Sequence, residues 1–305
     1  MGLKDFFLNI GGFTIHFYSD DNGLLFHLDD AYSLFLAEPT ENPTARVCVS
    51  RGRPFDLSQS VVQFKASNPE ASKGLEKETL WSIHNYNDNS YIISSEPQKG
   101  IYPFLYAHFP EALDTWRIWL PESDTNNNFA STDPLAYPMG PLLMYHLALF
   151  KGKVMIHASG VCNGTNGYLF SGFSGVGKST MAHLWHESGH QVINDDRLWL
   201  GIENDKCYMY NTPMTYVDKP RKSLLTHAFL IKQSPENYLK QVTGIEKMMR
   251  LMAFCIQHHY HKKHIQILMN TIENIAGRLK IYELGFVPEQ SIVELIKNEQ
   301  KRNSL

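Results

Sequence analysis

GYLFSGFSGVGKST, residues Gly167 to Thr180, joins an apolar run to a glycine-rich turn and closes on a lysine and two hydroxyl residues. Gly172-x-x-x-x-Gly177-Lys178-Ser179 matches the P-loop, or Walker A, pattern. Glycines let the backbone turn so tightly that successive N–H groups point inward and cradle phosphate oxygens. A helix after such a turn adds the positive end of its dipole. The pattern predicts a nucleotide-binding segment made of Gly172, Ser174, Gly175, Val176, Gly177, Lys178, Ser179 and Thr180. Lys178 would reach the terminal phosphates, and the Ser179 hydroxyl would ligate Mg²⁺.

Outward from this loop the order is strand, turn, strand, loop, helix, strand. KVMIHASGVC and GYLFSG read as strands joined by the turn NGTNG (Asn163–Gly167). KSTMAHLWHESGH reads as a short helix ending at Gly189, and QVIND as an apolar strand running into acids. That order belongs to an α/β domain. Asp195 and Asp196 end the strand after the helix, and strand ends in such sheets gather along one edge. Both acids can then lie near the phosphates. One can hold Mg²⁺, and the other can accept a proton from an attacking hydroxyl. His157, in VMIHASG, precedes the hairpin that feeds the loop. A lone histidine after an apolar strand is ordinarily a core residue, but this strand can also bring it beside the terminal phosphate.

The remainder of the chain has a different texture. Phe13–Tyr18, Ala45–Ser50, Val61–Ala66, Ser90–Ser95 and Thr115–Leu120 are short, β-branched or aromatic runs separated by turn formers. Asn85–Ser90 reads as a hairpin turn. The polar stretch Pro121–Pro134 reads as a linker, and PMGPLLMYHLALFKG after it as a helix. From about Ser234 the tail reads as mainly helical, with apolar spacing over Glu246–Ile256 and Ile265–Leu279. The organisation expected is a β-rich recognition or regulatory domain over residues 1–130 and a P-loop ATP-binding domain with C-terminal helices over residues 131–305.

IHASG, then GYLFSGFSGVGKST, then SGHQVINDD resemble the kinase domain of bacterial HPr kinase/phosphorylase. The same order is similar to the nucleotide site of ATP-dependent phosphoenolpyruvate carboxykinase. The resemblance covers roughly Pro141 to Asp196. It implies a carboxykinase-like core that uses ATP and Mg²⁺, with His157 near the transferred group. It also implies Ser179 and Asp196 at the metal and Asp195 as the base, while Lys178 and the loop amides spread charge. The activity expected is transfer of the γ-phosphoryl group to a hydroxyl, on a serine of a peptide or protein or on a small molecule. The alternative is a regulatory protein that binds ATP and transfers nothing. The basic, proline- and glycine-containing segment with which that family handles HPr is not found here, so the nucleotide chemistry carries over better than the acceptor. The related kinases are oligomers, which makes a homo-oligomer an expectation.

Composition sets outer bounds. A chain of 305 residues with 43% hydrophobic and 19% charged residues is ordinary for a globular protein. The net charge of −3 points to neither nucleic acid nor an anionic membrane as partner. Cys48, Cys162, Cys207 and Cys255 form no C-x-x-C pair, which fits a reducing compartment. With no signal-like N-terminus in view, the location expected is cytoplasmic. Three further features have ordinary readings. Lys219, Arg221 and Lys222 in DKPRKS form a basic loop able to face phosphate, or simply a solvated one. The histidines of HHYHKKH (His258–His264) lack a completing ligand for a metal site and read as a polar helix end or loop. Trp81, Tyr91, Trp116 and Trp119 read as core packing of the β layer.

Overall fold

The computed structural model describes residues 2–67, 79–87, 90–95, 104–122, 132–164, 166–214, 219–258 and 260–302. The chain separates into two compact units, Met1–Phe150 with His258–His264, and Lys151–Gln257 with Ile265–Leu305. Each has its own sheet, so the protein is a mixed α/β fold with two sheets.

Among the described residues the first sheet has nine strands: β1 (Phe6–Ile10), β2 (Phe13–Ser19), β3 (Leu36–Ala37), β4 (Ala45–Arg51), β5 (Val61–Ser67), β6 (Thr79–Asn87), β7 (Ser90–Ser95), β8 (Tyr106–His108) and β9 (Trp116–Leu120). Their order is β3-β1-β2-β4-β9-β8-β7-β6-β5. β4 runs parallel to both β2 and β9, and the other pairs are antiparallel. The five runs read as strands from the sequence all fall on strands. The turn expected at Asn85–Ser90 lies between β6 and β7, but residues 88–89 are outside the described residues. Trp81 and Trp116 are buried, as core packing requires.

Two helices complete this unit. The short α1 (Asp30–Ser33) is capped by Asp29, whose carboxylate accepts from the Ala31 amide at 2.8 Å. α2 (Met139–Phe150) is apolar on all sides and almost wholly buried, the pattern of a helix enclosed by its own domain. Gly140 is what lets it pack. A Cβ there would stand 2.0 Å from the Tyr32 hydroxyl and 2.6 Å from the Leu135 carbonyl. The compact units therefore divide after Phe150, beyond the polar stretch Pro121–Pro134, of which residues 123–131 lie outside the described residues.

The second sheet contains β10 (Lys153–Asn163), β11 (Asn166–Ser171), β12 (Gln191–Glu203), β13 (Lys206–Asn211), β14 (Lys222–Gln233), β15 (Tyr238–Val242) and β16 (Lys280–Phe286). The order is β11-β10-β12-β13-β14-β16-β15, with a further pairing of β11 to β14. β14 makes that closure possible by changing partner along its length. Residues 222–224 pair with β13, and residues 225–230 pair in parallel with β11. Strands β11, β10, β12, β13 and β14 thus form a closed circuit of pairing. Both edges of β11 are occupied. The helices of this part of the chain are α3 (Lys178–Glu187), α4 (Ile245–Met252), α5 (Lys262–Arg278) and α6 (Ser291–Arg302). α3 and α6 cover the sheet through a core that includes Tyr168, Phe170, Trp185, Phe229 and Ile296.

The tail is less helical than its periodicity suggests, because β15 and β16 interrupt it. The helix expected over Glu246–Ile256 stops at Met252. Beyond it the backbone takes up the edge of β10: the His157 amide donates to Phe254 O at 3.1 Å, and the Ile256 amide donates to Met155 O at 2.7 Å. Strand pairing outcompetes the last helical turn. No helix among the described residues is long and apolar enough to cross a membrane.

The histidine-rich run resolves into two parts. His258, Tyr260 and His261 are irregular, and α5 begins at Lys262; His259 lies outside the described residues. Among the described residues no group of three His, Cys, Asp or Glu could hold a metal ion. Instead the run completes the first unit. Buried His146 sits 2.7 Å from Leu142 O through Nδ1 and 2.6 Å from the Tyr260 hydroxyl through Nε2. A carbonyl only accepts, so Nδ1 carries the proton and Nε2 accepts from Tyr260. Burial holds the His146 pKa down to about 3 and that of His264 to about 4. Both stay neutral in the folded protein and protonate near 6.5 when unfolded. Their stabilisation is therefore complete above pH 6.5 and lost as the pH falls through about 4 for His264 and about 3 for His146. Urea unfolding followed across that range should show a midpoint that drops with acid. At pH 7, Tyr260→Phe should lower stability by about 1–3 kcal/mol, because it strands a buried ring nitrogen.

Candidate functional site

The site begins where β11 ends. Ser171 pairs with Ala158 of β10, and Ala158 pairs on its other side with Asp196 of β12. The base of the glycine loop, the histidine strand and the acid pair therefore stand at one level of the sheet. With strands about 4.8 Å apart, β12 lies on the order of 10 Å from β11.

Asp195 and Asp196 are not at a strand end, as the sequence suggested. They lie within β12, which pairs with β10 through to Gly201 and passes the site instead of stopping there. The neighbours of β11 are antiparallel β10 and parallel β14, so the acids are not presented by a row of parallel strand ends. A bulge lies just before them. Gly160 pairs with Asn194 and Val161 with Val192, which leaves Ile193 as the extra residue. Bulges of this kind re-aim the side chains beside them. Asn194, fully buried, holds the bend: its Oδ1 accepts from the amides of Asp196 at 2.9 Å and Arg197 at 3.2 Å, and its Nδ2 donates to Thr212 O at 3.1 Å.

Each acid has a protein partner. The Ser159 hydroxyl, opposite Asp195 in the register, donates to Asp195 Oδ1. His157 Nδ1 lies 3.2 Å from Asp196 Oδ1, and Arg197 Nη1 lies 3.5 Å from Asp196 Oδ2. Asp196 is mostly buried, whereas His157 is half exposed.

The loop has the conformation its glycines allow. Gly175 and Gly177 take φ of 76° and 111°, values that L side chains avoid. A Cβ on Gly177 would also stand 2.6 Å from the Phe286 ring, and one on Gly172 would stand 2.7 Å from the Val176 side chain. Gly177 caps α3 without any side-chain hydrogen bond, so the first-turn amides remain open donors. Lys178 is buried and donates to Gly172 O at 3.1 Å and Phe173 O at 3.0 Å. Burial lowers its pKa, while Asp195 and Asp196 pull it back up. Ser174, Gly175 and Ser179 are exposed, and Val176 and Thr180 are half-buried. The predicted residues Gly172 to Thr180, His157, Asp195 and Asp196 thus fall in one neighbourhood of the second unit. Uncapped amides, a desolvated cation, exposed Ser179 and paired carboxylates suit a magnesium-bound polyphosphate.

The basic loop is partly tied down. The Arg221 amide donates to Asn211 Oδ1 at 2.6 Å and its guanidinium donates to Val192 O, while Lys222 pairs with Glu203. Asp218 lies outside the described residues. His183, on α3, faces Glu187 at 3.2 Å as an exposed surface pair.

Ser159, Asn194 and Arg197 went unread in the sequence. Ser159 is two residues from His157 on one strand, a spacing that puts both on one face. Asn194 immediately before two acids is the residue type that bonds the amide two positions on. Arg197 carries no comparable signal.

No protein-family model matches the chain, and no curated protein matches it. Among solved structures it is similar to the HPr(Ser) kinase/phosphatase from Coxiella burnetii, with 12% identity and a TM-score of 0.30 over 50% of this chain and 99% of that one.

Replacing Gly177 by alanine tests the loop geometry directly. The left-handed φ alone should lower stability by about 1–2 kcal/mol in urea unfolding. The displaced loop should also lose measurable affinity for pyrophosphate in calorimetry.

Proposed function

We propose that this protein is an ATP–Mg²⁺-dependent phosphotransferase that moves a γ-phosphoryl group to a hydroxyl, on a serine of a peptide or protein or on a small molecule. The observation that carries this reading is the common level of Ser171, Ala158 and Asp196. It brings two carboxylates to a glycine loop whose lysine feels both of them. A loop that only anchored a nucleotide would have no use for a second acid. Mg–ATP, when bound, supplies the transferable group.

In this reading the amides of Gly172, Ser174, Gly175, Val176, Gly177, Ser179 and Thr180, with Lys178, hold the triphosphate and offset its charge. Ser179 and Asp196 hold the metal. His157 and Arg197 fix Asp196 in place. Asp195 accepts the proton of the acceptor hydroxyl, with Ser159 holding its carboxylate in line. The first unit recognises the acceptor or regulates the second, and the chain works as a homo-oligomer in a reducing, cytoplasmic setting.

Transfer is measured with γ-labelled ATP and a cell extract divided into protein and metabolite fractions. Labelled product is expected in one fraction; ATP binding without product would favour the regulatory alternative. Asp195→Asn should keep Mg–ATP affinity and lower transfer by about 10²–10⁴-fold, the usual contribution of a general base. Asp196→Asn should raise the Mg²⁺ needed for half-maximal binding. Lys178→Ala should weaken binding and abolish transfer. Wild-type transfer rates in both aspartate variants at limiting Mg²⁺ would sink the mechanism.

A further inference from the structure

β11 leaves the sheet at Ser171, and the space it vacates is not filled. On one side, Phe254–Ile256 takes over the edge of β10. On the other, β14 continues past Leu230 with no β11 partner. Between them lies a cleft of about 630 Å³, roofed by the glycine loop itself. The acids lie away from it, beyond β10.

The geometry points to this cleft as the seat of the purine nucleoside of the nucleotide whose phosphates the loop holds, a reading that rests on the loop's assignment as a triphosphate site.

Four observations carry it. The first is continuity: Phe173 and Val176 belong to the loop and also wall the cleft, so a ligand can enter it without leaving the phosphate cradle. The second is the Phe173 side chain. It is 78% exposed, with its ring edge-on to Phe254 at 5.5 Å. An aromatic ring left in water at a loop tip is suited to stacking on a base. The third is the free edge of β14 at Ile231–Gln233. The backbone N–H and C=O groups there that face away from β16 suit the donor–acceptor edge of a nucleobase. The volume lies within the range of small-molecule sites.

The fourth observation excludes the phosphoryl acceptor as occupant. An acceptor hydroxyl needs a carboxylate free to take its proton. Among the described residues the only carboxylate lining the cleft is Glu283, and its oxygens are bound by Arg250 at 2.6 Å and Tyr238 at 2.9 Å. The reacting end therefore lies at Asp195 and Asp196 across β10, and the cleft takes the other end of the nucleotide.

Calorimetry on the full chain with Mg²⁺ separates the terms, using tripolyphosphate and a non-hydrolysable ATP analogue as probes. The wild-type protein should hold the analogue at least about tenfold more tightly than tripolyphosphate, and more tightly than the corresponding cytidine analogue. Phe173→Ala removes an exposed ring, and Ala253→Trp fills the cleft from an exposed position; neither disturbs a core. Both should lower affinity for the ATP analogue about 5- to 100-fold, the range of one lost base stack, and leave tripolyphosphate unchanged. Equal wild-type affinity for analogue and tripolyphosphate would overturn the cleft assignment while the loop assignment stood. So would equal loss of both probes in the two variants, and so would equal binding of the purine and pyrimidine analogues. Failure of the wild-type protein to bind tripolyphosphate at all would overturn the loop assignment and the cleft with it.

Discussion

Ala158 has one neighbour on each side that matters. Ser171 opposes it across one row of hydrogen bonds and Asp196 across the other. Because backbone pairing admits only whole-residue shifts, this double register fixes the height of the glycine loop relative to the acids. A slip of one residue in either pair would turn alternate side chains to the wrong face. The closed circuit through β13 and β14 makes such a slip harder, since moving β11 would require moving β14 and β10 with it.

Here a strand carries a pair of acids in its middle. An unbroken antiparallel ladder would send Asp195 and Asp196 to opposite faces. The bulge at Ile193 lies just before this stretch, where the Asn194 amide group braces the backbone; from Asn194 to Gly201 the pairing is regular, and both acids still act on the Lys178 charge. Pairing can then run on to Gly201, where it contributes to the core instead of ending at the site. Burial and charge pull in opposite directions at Lys178. Desolvation disfavours the ammonium, and the two carboxylates favour it. Its hydrogen bonds to the loop's own carbonyls keep it satisfied meanwhile.

Much of this was legible in the residues. The positive φ of Gly175 and Gly177 is a local constraint legible in the motif, whereas the Phe286 ring that also excludes a Cβ at Gly177 is a tertiary one. The five strands read in the first unit had apolar or β-branched runs bounded by turn formers. β1, β3, β6 and β8 did not stand out. β8 is only three residues long, and β6 carries polar Ser82, His84 and Asn85 through its run. The strand-end placing of the acids failed for a tertiary reason, because nothing in QVINDDRLWLGIE shows that a partner strand continues alongside it. α2 illustrates the reverse. Its all-round apolar surface shows that it is enclosed, but not which unit encloses it. The tail's strands were hidden because KIYELGF follows a helix without a break.

The first unit is discontinuous. Its nine strands and two helices all lie before Lys151, yet His258–His264 belongs to it and supplies the Tyr260 hydroxyl that His146 needs. A ribosome adds about 5–20 residues per second, so the N-terminal sheet emerges several seconds before its last piece has been made. During that interval the acceptor nitrogen of His146 has no Tyr260 hydroxyl to receive from. The first part of the chain to be synthesised is therefore not the first that can finish folding. Most of the second sheet, including the glycine loop and the acid strand, is translated before the N-terminal unit can close.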